Sequence, residues 1–380
     1  MARRTRCYGH GSFCGTFLYR GNGLQRDLLE SKIRWNRSTA SRRPGASFSC
    51  IPGSCHAIRK PDFWPDCRRK RDASLILSQF MPAFCQHTRK PLKPLSSVFS
   101  QFASVSGAGD YSISDEGVIY SLKARSLDYG PEYFLEEYEN QYGKSYLEDE
   151  SNLRRMGERR LRWMESSLRT GKHVVPWDHP EGPLLLEIGS AAGFFLDEAA
   201  ERGFRTAGIE VSDFAADFAR NRGHKIFRQS FLSSNLLEDP TFKELTSESV
   251  DVLAAFYTLE HFSDQALAFR RISSLLKPGG LFLLAIPSYH GPVFRCDPSR
   301  WVDSHPQDHF ADYSPDSLAR ILKFYGLDQI AVRPASFHRQ RMCGWRRYLP
   351  DGFYRKWATK HAFGDTMEVL AIRDGASPLI

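Results

Sequence analysis

The stretch LLLEIGSAAG, Leu184–Gly193, decides the fold. Its apolar run meets an acidic residue, Glu187, and opens into a turn of small residues, Gly189, Ser190, Ala191, Ala192 and Gly193. Such a run reads as a buried strand, and a helix, Phe194–Arg202, is expected to start directly after the turn. Small residues let backbone N–H groups approach a ligand closely, and a helix N-terminus favours negative charge. Seventeen residues past Gly193, a second short strand, RTAGIEV, ends on Glu210, with Val211 beside it. A carboxylate there can accept hydrogen bonds from both hydroxyls of a ribose. Turn and carboxylate together describe a nucleoside-binding α/β domain.

The dinucleotide fingerprint G-x-G-x-x-G does not fit, because Ala191 and Phe194 occupy its second and third glycine positions. The pattern is similar to E-x-G-x-A-x-G, the loop of class I S-adenosylmethionine (SAM) methyltransferases, and the resemblance continues downstream. The segment VDVLAAFYTLEHFSDQALAFRRISSLLKPGGLFLLAIPS (250–288) resembles that family's fourth strand, an L-E-H turn, a helix, an L-K-P-G-G turn and the fifth strand. DHFADYSPDSLARILKFYGLDQIAV (308–332) resembles its next helix and sixth strand. A single glycine loop is weak evidence, whereas four segments in order are specific. The L-E-H turn is similar to that of the small-molecule branch, which includes quinone-precursor O-methyltransferases.

The resemblance implies a Rossmann-like α/β fold with a seven-stranded, mostly parallel sheet and a final antiparallel pair of strands. SAM is then the expected methyl donor, with Gly189, Ser190, Ala191 and Gly193 around its methionine part and Glu187 accepting from its amino group. Glu210 is expected on the ribose; the bland alternative is a solvated strand-end carboxylate. Where the family presents an Asp to adenine, the strand HKIFRQS leads here to Ser230 and Phe231, a hydroxyl and a stacking ring. Phe256 and Tyr257 are expected to border the sulfonium, which an aromatic face attracts, although Phe256 also suits core packing.

A hydroxyl acceptor must lose a proton, and histidine is the natural base near neutral pH. His261 follows strand four, His290 follows strand five, and His305 and His309 precede the SPDSLARILKF helix. His261, His309 and His290 are therefore the catalytic candidates, against the alternative that Glu260 and His261 only orient a helix. His305, His309 and Asp308 offer a weak metal-ligand pattern, and no metal is expected.

Residues 1–107 hold 19 Lys/Arg against 5 Asp/Glu, leaving 33 against 39 in the remainder, so the basic charge belongs to the leader. Six of eight cysteines also lie there, and Cys296 and Cys343 alone suggest no disulfide framework. The leader has no sustained period and is expected to be disordered or an upstream extension, with Met81 an alternative start. A transit peptide, zinc binding and nucleic-acid contact through Arg68–Arg71 are weaker readings. No apolar stretch reaches the roughly 18 residues needed to cross a bilayer, so a cytoplasmic location is expected.

Residues 108–183 read as a helical cap and linker before the methyltransferase domain, 184–380. Tyr129, Tyr133, Tyr138, Tyr142 and Tyr146 cluster around a helix expected from Pro131 to Tyr142, and Tyr142 and Tyr146 are candidate lid residues over the cofactor. A helix over 151–169 places Leu153, Met156, Leu161, Met164 and Leu168 on one core-facing stripe. An insertion, 335–365, interleaves Arg339, Arg341, Arg346, Arg347, Arg355 and Lys356 with Trp345, Tyr348, Phe353, Tyr354 and Trp357. It reads as an acceptor lid, a peripheral contact with acidic lipid, a single-strand nucleic-acid surface, or a hairpin packed on the core.

The expected activity is SAM-dependent methylation of a small molecule, with oxygen as the acceptor atom. Transfer to nucleic acid or protein is the alternative; the acidic balance of residues 108–380 and the missing N/D-P-P-Y/W motif argue against it. A non-catalytic SAM-fold module is a third reading, opposed by the acidic pair Glu187 and Glu210.

Overall fold

The structure is a computed structural model; it describes residues 84–127, 130–171, 173, 180–234, 236 and 245–375. Most of the expected leader, with Met81 and five of its cysteines, lies outside the described residues. The main sheet has seven strands: β1 (Leu184–Ile188), β2 (Arg205–Glu210), β3 (Lys225–Arg228), β4 (Val250–Phe256), β5 (Leu276–Pro287), β6 (Leu327–Pro334) and β7 (Thr366–Arg373). Their order is β6-β7-β5-β4-β1-β2-β3. Only β7 runs antiparallel to its neighbours, pairing Leu370 with Leu283 of β5 and Val369 with Val332 of β6. Besides short α-helical turns at Leu95–Val98 and Tyr138–Tyr142, the helices among the described residues are α1 (Glu150–Gly171), α2 (Phe194–Ala200), α3 (Asp213–Asn221), α4 (Gln265–Leu275), α5 (Pro292–Cys296), α6 (Pro298–Asp303), α7 (Pro315–Phe324) and α8 (Asp351–Lys360).

Every residue of β1 is buried, as a central parallel strand covered by helices on both faces requires. Strand alternation sends Leu184, Leu186 and Ile188 into one apolar layer with Phe269 and Ile272 of α4 and Leu318 of α7. Leu185 joins the opposite layer, with Leu161 and Met164 of α1 and Leu196 of α2. Pro315 starts α7 behind a Ser314–Ser317 capping box, which fixes where the preceding loop ends.

Two expected helices differ in detail. The segment after Pro131 winds as a wide π-type turn over Tyr133–Glu137 before an α-helical turn at Tyr138–Tyr142. In α1 the apolar stripe divides: Leu161, Met164 and Leu168 are buried in the core, whereas Leu153 and Met156 line a cavity. The insertion is helical rather than a hairpin, holding α8 and two short helical turns. Cys296 and Cys343 are disulfide-bonded, with Cα atoms 5.4 Å apart, which ties α5 to that insertion, a link that their number alone did not suggest.

The boundary at residue 107 also requires correction. A second sheet forms from Lys93–Pro94, Tyr111–Ile113, Ile119–Ser121 and Ala311–Asp312. Leu95 and Phe102 are buried beside it with Tyr111, Ile113, Ile119 and Phe294. His87 bonds the hydroxyls of Tyr325 (3.1 Å) and Tyr313 (3.2 Å), and burial lowers its pKa to about 3, so it stays neutral. Gln86 accepts from the Gln265 backbone N–H at 2.7 Å and donates to the Ser263 carbonyl at 3.1 Å. Residues 84–107 are therefore part of the fold. Phe102→Ala should lower stability by about 3–5 kcal/mol, because the ring is buried between Phe294 and Trp301. Urea unfolding measures it, and an unchanged midpoint would return this segment to a dispensable leader.

Candidate active site

The strand order reverses between β1 and β4, and in open α/β sheets the carboxyl ends of strands at such a point frame a binding crevice. A cavity of about 990 Å³ lies there, between the turns after β1, β2, β3 and β4 and the N-terminal half of α1. Gly189 turns the chain with φ 72°, and a Cβ on it would meet Thr258 Oγ1 at 2.5 Å. Ala191 also adopts the left-handed region, at φ 45°, a conformation that costs energy for a residue with a Cβ. Its backbone N–H donates to Glu210 Oε2 at 2.8 Å, so the carboxylate ending β2 holds the turn leaving β1. Glu210 Oε1 accepts from the Ser212 N–H at 2.8 Å. Burial raises the Glu210 pKa, against those backbone hydrogen bonds.

Glu187 carries an unsatisfied buried oxygen. It is 4% exposed, and its Oε2 has no hydrogen-bond partner. Burial pushes its carboxyl well above the usual range; the positive charge of Arg160 opposes the rise and Glu210 adds to it. Ser190 Oγ is likewise buried without a partner. An unpaired buried polar atom costs roughly 1–3 kcal/mol, and the unpaired Glu187 carboxylate on the cavity wall describes a surface shaped for a polar ligand. An ammonium suits Glu187, so the residues fit the methionine end of SAM.

Not every expected residue faces the cavity. Glu187, Gly189, Ser190, Ala191, Glu210, Val211, Ser230, Phe231, Phe256, Tyr257, Tyr146 and His261 line it. Gly193 does not: at φ 81° it caps α2, and a Cβ there would meet His224 and Ala219 at 2.9 and 3.0 Å, so its smallness serves helix packing. Tyr146 stacks on Phe194 with ring centroids 5.7 Å apart. Tyr129 lies outside the described residues, as does the Tyr142 side chain. Phe256 carries the Arg160 guanidinium over its ring at 4.0 Å and the edge of Phe195 at 4.7 Å, so its faces are already occupied. Tyr257, 37% exposed at φ 54°, is the ring open to a ligand.

Arg160 and Gln229 are among the lining residues that the sequence did not single out. Arg160 of α1 pairs with Glu368 through Nε at 2.9 Å, while its buried NH2 nitrogen has no partner. Gln229 precedes Ser230 at the end of β3, and its buried amide nitrogen is also unpartnered. Phe231 is 2% exposed and stacks on Phe262, so Gln229 and Ser230 supply the polar edge there.

The histidines sort by contact. His261 Nδ1 lies 2.9 Å from Asp308 Oδ2 and 3.2 Å from the Asp308 carbonyl oxygen. Burial pulls its pKa down, but the hydrogen bond to Asp308 and the charges of Glu260 and Asp308 outweigh burial and leave it raised. Glu260 is buried, with its pKa pushed up to about 7 by burial against the opposing pull of His261. His309 stands behind His261, rings 4.9 Å apart, and burial lowers it to about 4; it does not line the cavity. His305 bonds Asp312 at 2.8 Å. The carboxylate near His305 and His309 is thus Asp312, not the expected Asp308, and these three bring ligand-type atoms within 4.8 Å, as do Glu260, His261 and His309. His290 turns away: Arg295 Nη2 donates to its Nδ1 at 2.8 Å and its ring packs on Phe363. The turn into Pro292 carries it off the cavity wall. The Phe310 N–H donates to the Glu260 carbonyl at 2.7 Å, so the second sheet, holding Ala311–Asp312, sets Asp308 against His261.

Residues 157–332 match a family model described as a methyltransferase domain. A ubiquinone biosynthesis O-methyltransferase of Idiomarina loihiensis is 24% identical over 163 residues, 41% of this chain and 66% of its own length. The C-methyltransferase NovU of Streptomyces niveus is 25% identical over 158 residues, 42% of this chain and 36% of its own. The matched residues, 157–332, are a SAM-dependent methyltransferase domain with the class I fold. The chain spans from 36% to 66% of the length of these two relatives. A solved SAM-dependent methyltransferase from Archaeoglobus fulgidus aligns with 64% of this chain and 100% of its own, at 16% identity and TM-score 0.40. No helix among the described residues is long and apolar enough to cross a membrane.

Proposed function

We propose that this protein transfers a methyl group from SAM to a small-molecule acceptor, at oxygen. The observation that carries the reading is the pair Glu187 and Glu210, one buried with an unpaired oxygen and the other anchoring the turn, on one cavity wall. When bound, SAM supplies a methyl already activated on a sulfonium. The chain's part is to hold and align, since proximity and orientation supply most of the acceleration in such displacements. Glu187 receives the amino group, Arg160 the carboxylate through its unpartnered nitrogen, Glu210 the ribose, and Gln229 with Ser230 the adenine edge.

His261 is assigned as the base. Asp308 holds Nδ1, which directs proton acceptance to the other ring nitrogen and stabilises the imidazolium that forms. A base so placed supports oxygen as the acceptor atom, because a hydroxyl must lose its proton whereas many carbon nucleophiles are generated differently. The similarity to a ubiquinone biosynthesis O-methyltransferase agrees with this; NovU is named a C-methyltransferase. Incubation with methyl-labelled SAM and an extracted metabolite pool should label a small molecule at oxygen. Label found only in macromolecules, or on carbon, would overturn the assignment.

A further inference from the structure

The segment after Cys343 carries charge and rings that neither the cavity nor the core uses. Trp345, Tyr348 and Phe353 are 65%, 77% and 67% exposed, whereas the other large apolar side chains among the described residues are mostly covered. Between Cys343 and His361 stand Arg346, Arg347, Arg355, Lys356 and Lys360, all exposed. None of these five forms an ion pair among the described residues. The one carboxylate of the segment, Asp351, pairs with Arg339 at 2.9 Å.

The arrangement is two-faced. In α8, Tyr354 and Ala358, four residues apart, are buried with Met342 and Phe363. Phe353, Lys356 and Lys360 share the opposite, exposed face at helical spacing. Beside it, the turn Trp345–Tyr348 has no buried residue, and Arg346 lies over the rings of Trp345 and Trp357 at 5.1 Å each. The core side packs the insertion down and the disulfide Cys296–Cys343 pins the residue just before the exposed segment, so the exposed face is held in place. Aromatic rings interleaved with cations match the headgroup layer of an anionic bilayer, where rings sit among the headgroups and cations meet lipid phosphates. We propose that this face of the insertion, Trp345–Lys360, docks the protein on an anionic lipid surface. The same insertion gives Ser336, His338 and Arg341 to the cavity wall, so one segment serves both lipid contact and the acceptor side of the cavity. The docking does not depend on the methyl-transfer reading.

Flotation of the full chain with vesicles tests it. Vesicles of phosphatidylcholine with about a third phosphatidylglycerol should carry the protein at low salt, whereas pure phosphatidylcholine should not, and high salt should release it. Two variants separate the contributions: R346E/R347E/K356E, and W345A/Y348A/F353A. The charge variant should bind anionic vesicles about a hundredfold more weakly. The ring variant should lose the blue shift of tryptophan emission that accompanies binding. Both should keep SAM affinity, since none of these residues lines the cavity. Equal flotation with neutral vesicles would overturn the proposal. So would variants that float as the parent does, because the basic segment before residue 84 would then carry the binding. Failure to float, with tight binding of a single-stranded oligonucleotide instead, would assign the face to nucleic acid.

Discussion

Glu210→Ala should weaken SAM binding by roughly a hundred- to ten-thousand-fold, the value of two hydrogen bonds to a buried charge. The carboxylate has a second task, accepting from the N–H groups of Ala191 and Ser212 at 2.8 Å each. Its removal leaves two backbone donors unpaired, so the variant should also unfold at lower denaturant concentration. Loss of affinity through a slack turn must therefore be separated from loss of the ribose contact. S-adenosylhomocysteine and its 2′-deoxy analogue separate them in a double cycle. The parent protein should bind the deoxy compound more weakly, whereas the variant should bind both alike. Calorimetry showing undiminished affinity for SAM, or unchanged discrimination between the two analogues, would remove Glu210 from the ribose site.

His261→Ala should lower kcat by about a hundred- to ten-thousand-fold while SAM affinity holds, because the ring acts on the acceptor's proton. Its pH dependence has a definite sign. The base must be neutral, and its pKa in the folded protein is raised above 6.5 by Asp308 and Glu260 despite burial. Activity should therefore climb through an acidic limb lying above pH 6.5. Asp308→Asn removes the charge that favours the imidazolium, so the limb should move to lower pH and kcat should fall. A profile unmoved by Asp308→Asn would show that His261 and Asp308 orient the L-E-H turn and take no part in proton transfer.

The difference between the legible and the hidden parts of this site is one of range. Glu187 and Glu210 could be placed at the cavity because each stands at or next to the end of a strand that the sequence pattern identifies, and parallel strands place their ends together. Arg160 could not: in the run ERRLRW it is one of several arginines on a helix, and only the register of α1 against β7 brings it to Glu368 and the cavity. Asp308 reaches His261 across 47 residues, positioned by a second sheet whose strands are two or three residues long and show no period. His290 misled because distance from a strand end says nothing about where the following turn points. Residues 84–107 looked like the basic leader around them, yet Leu95 and Phe102 fill a core completed by Phe294 and Trp301, two hundred positions downstream.

A crystal structure with S-adenosylhomocysteine bound is the most direct measurement of the donor site. It should show both ribose hydroxyls on the Glu210 carboxylate and the ligand's amino group on Glu187. A ligand seated elsewhere, or a nicotinamide or flavin retained in this cavity, would contradict the assignment.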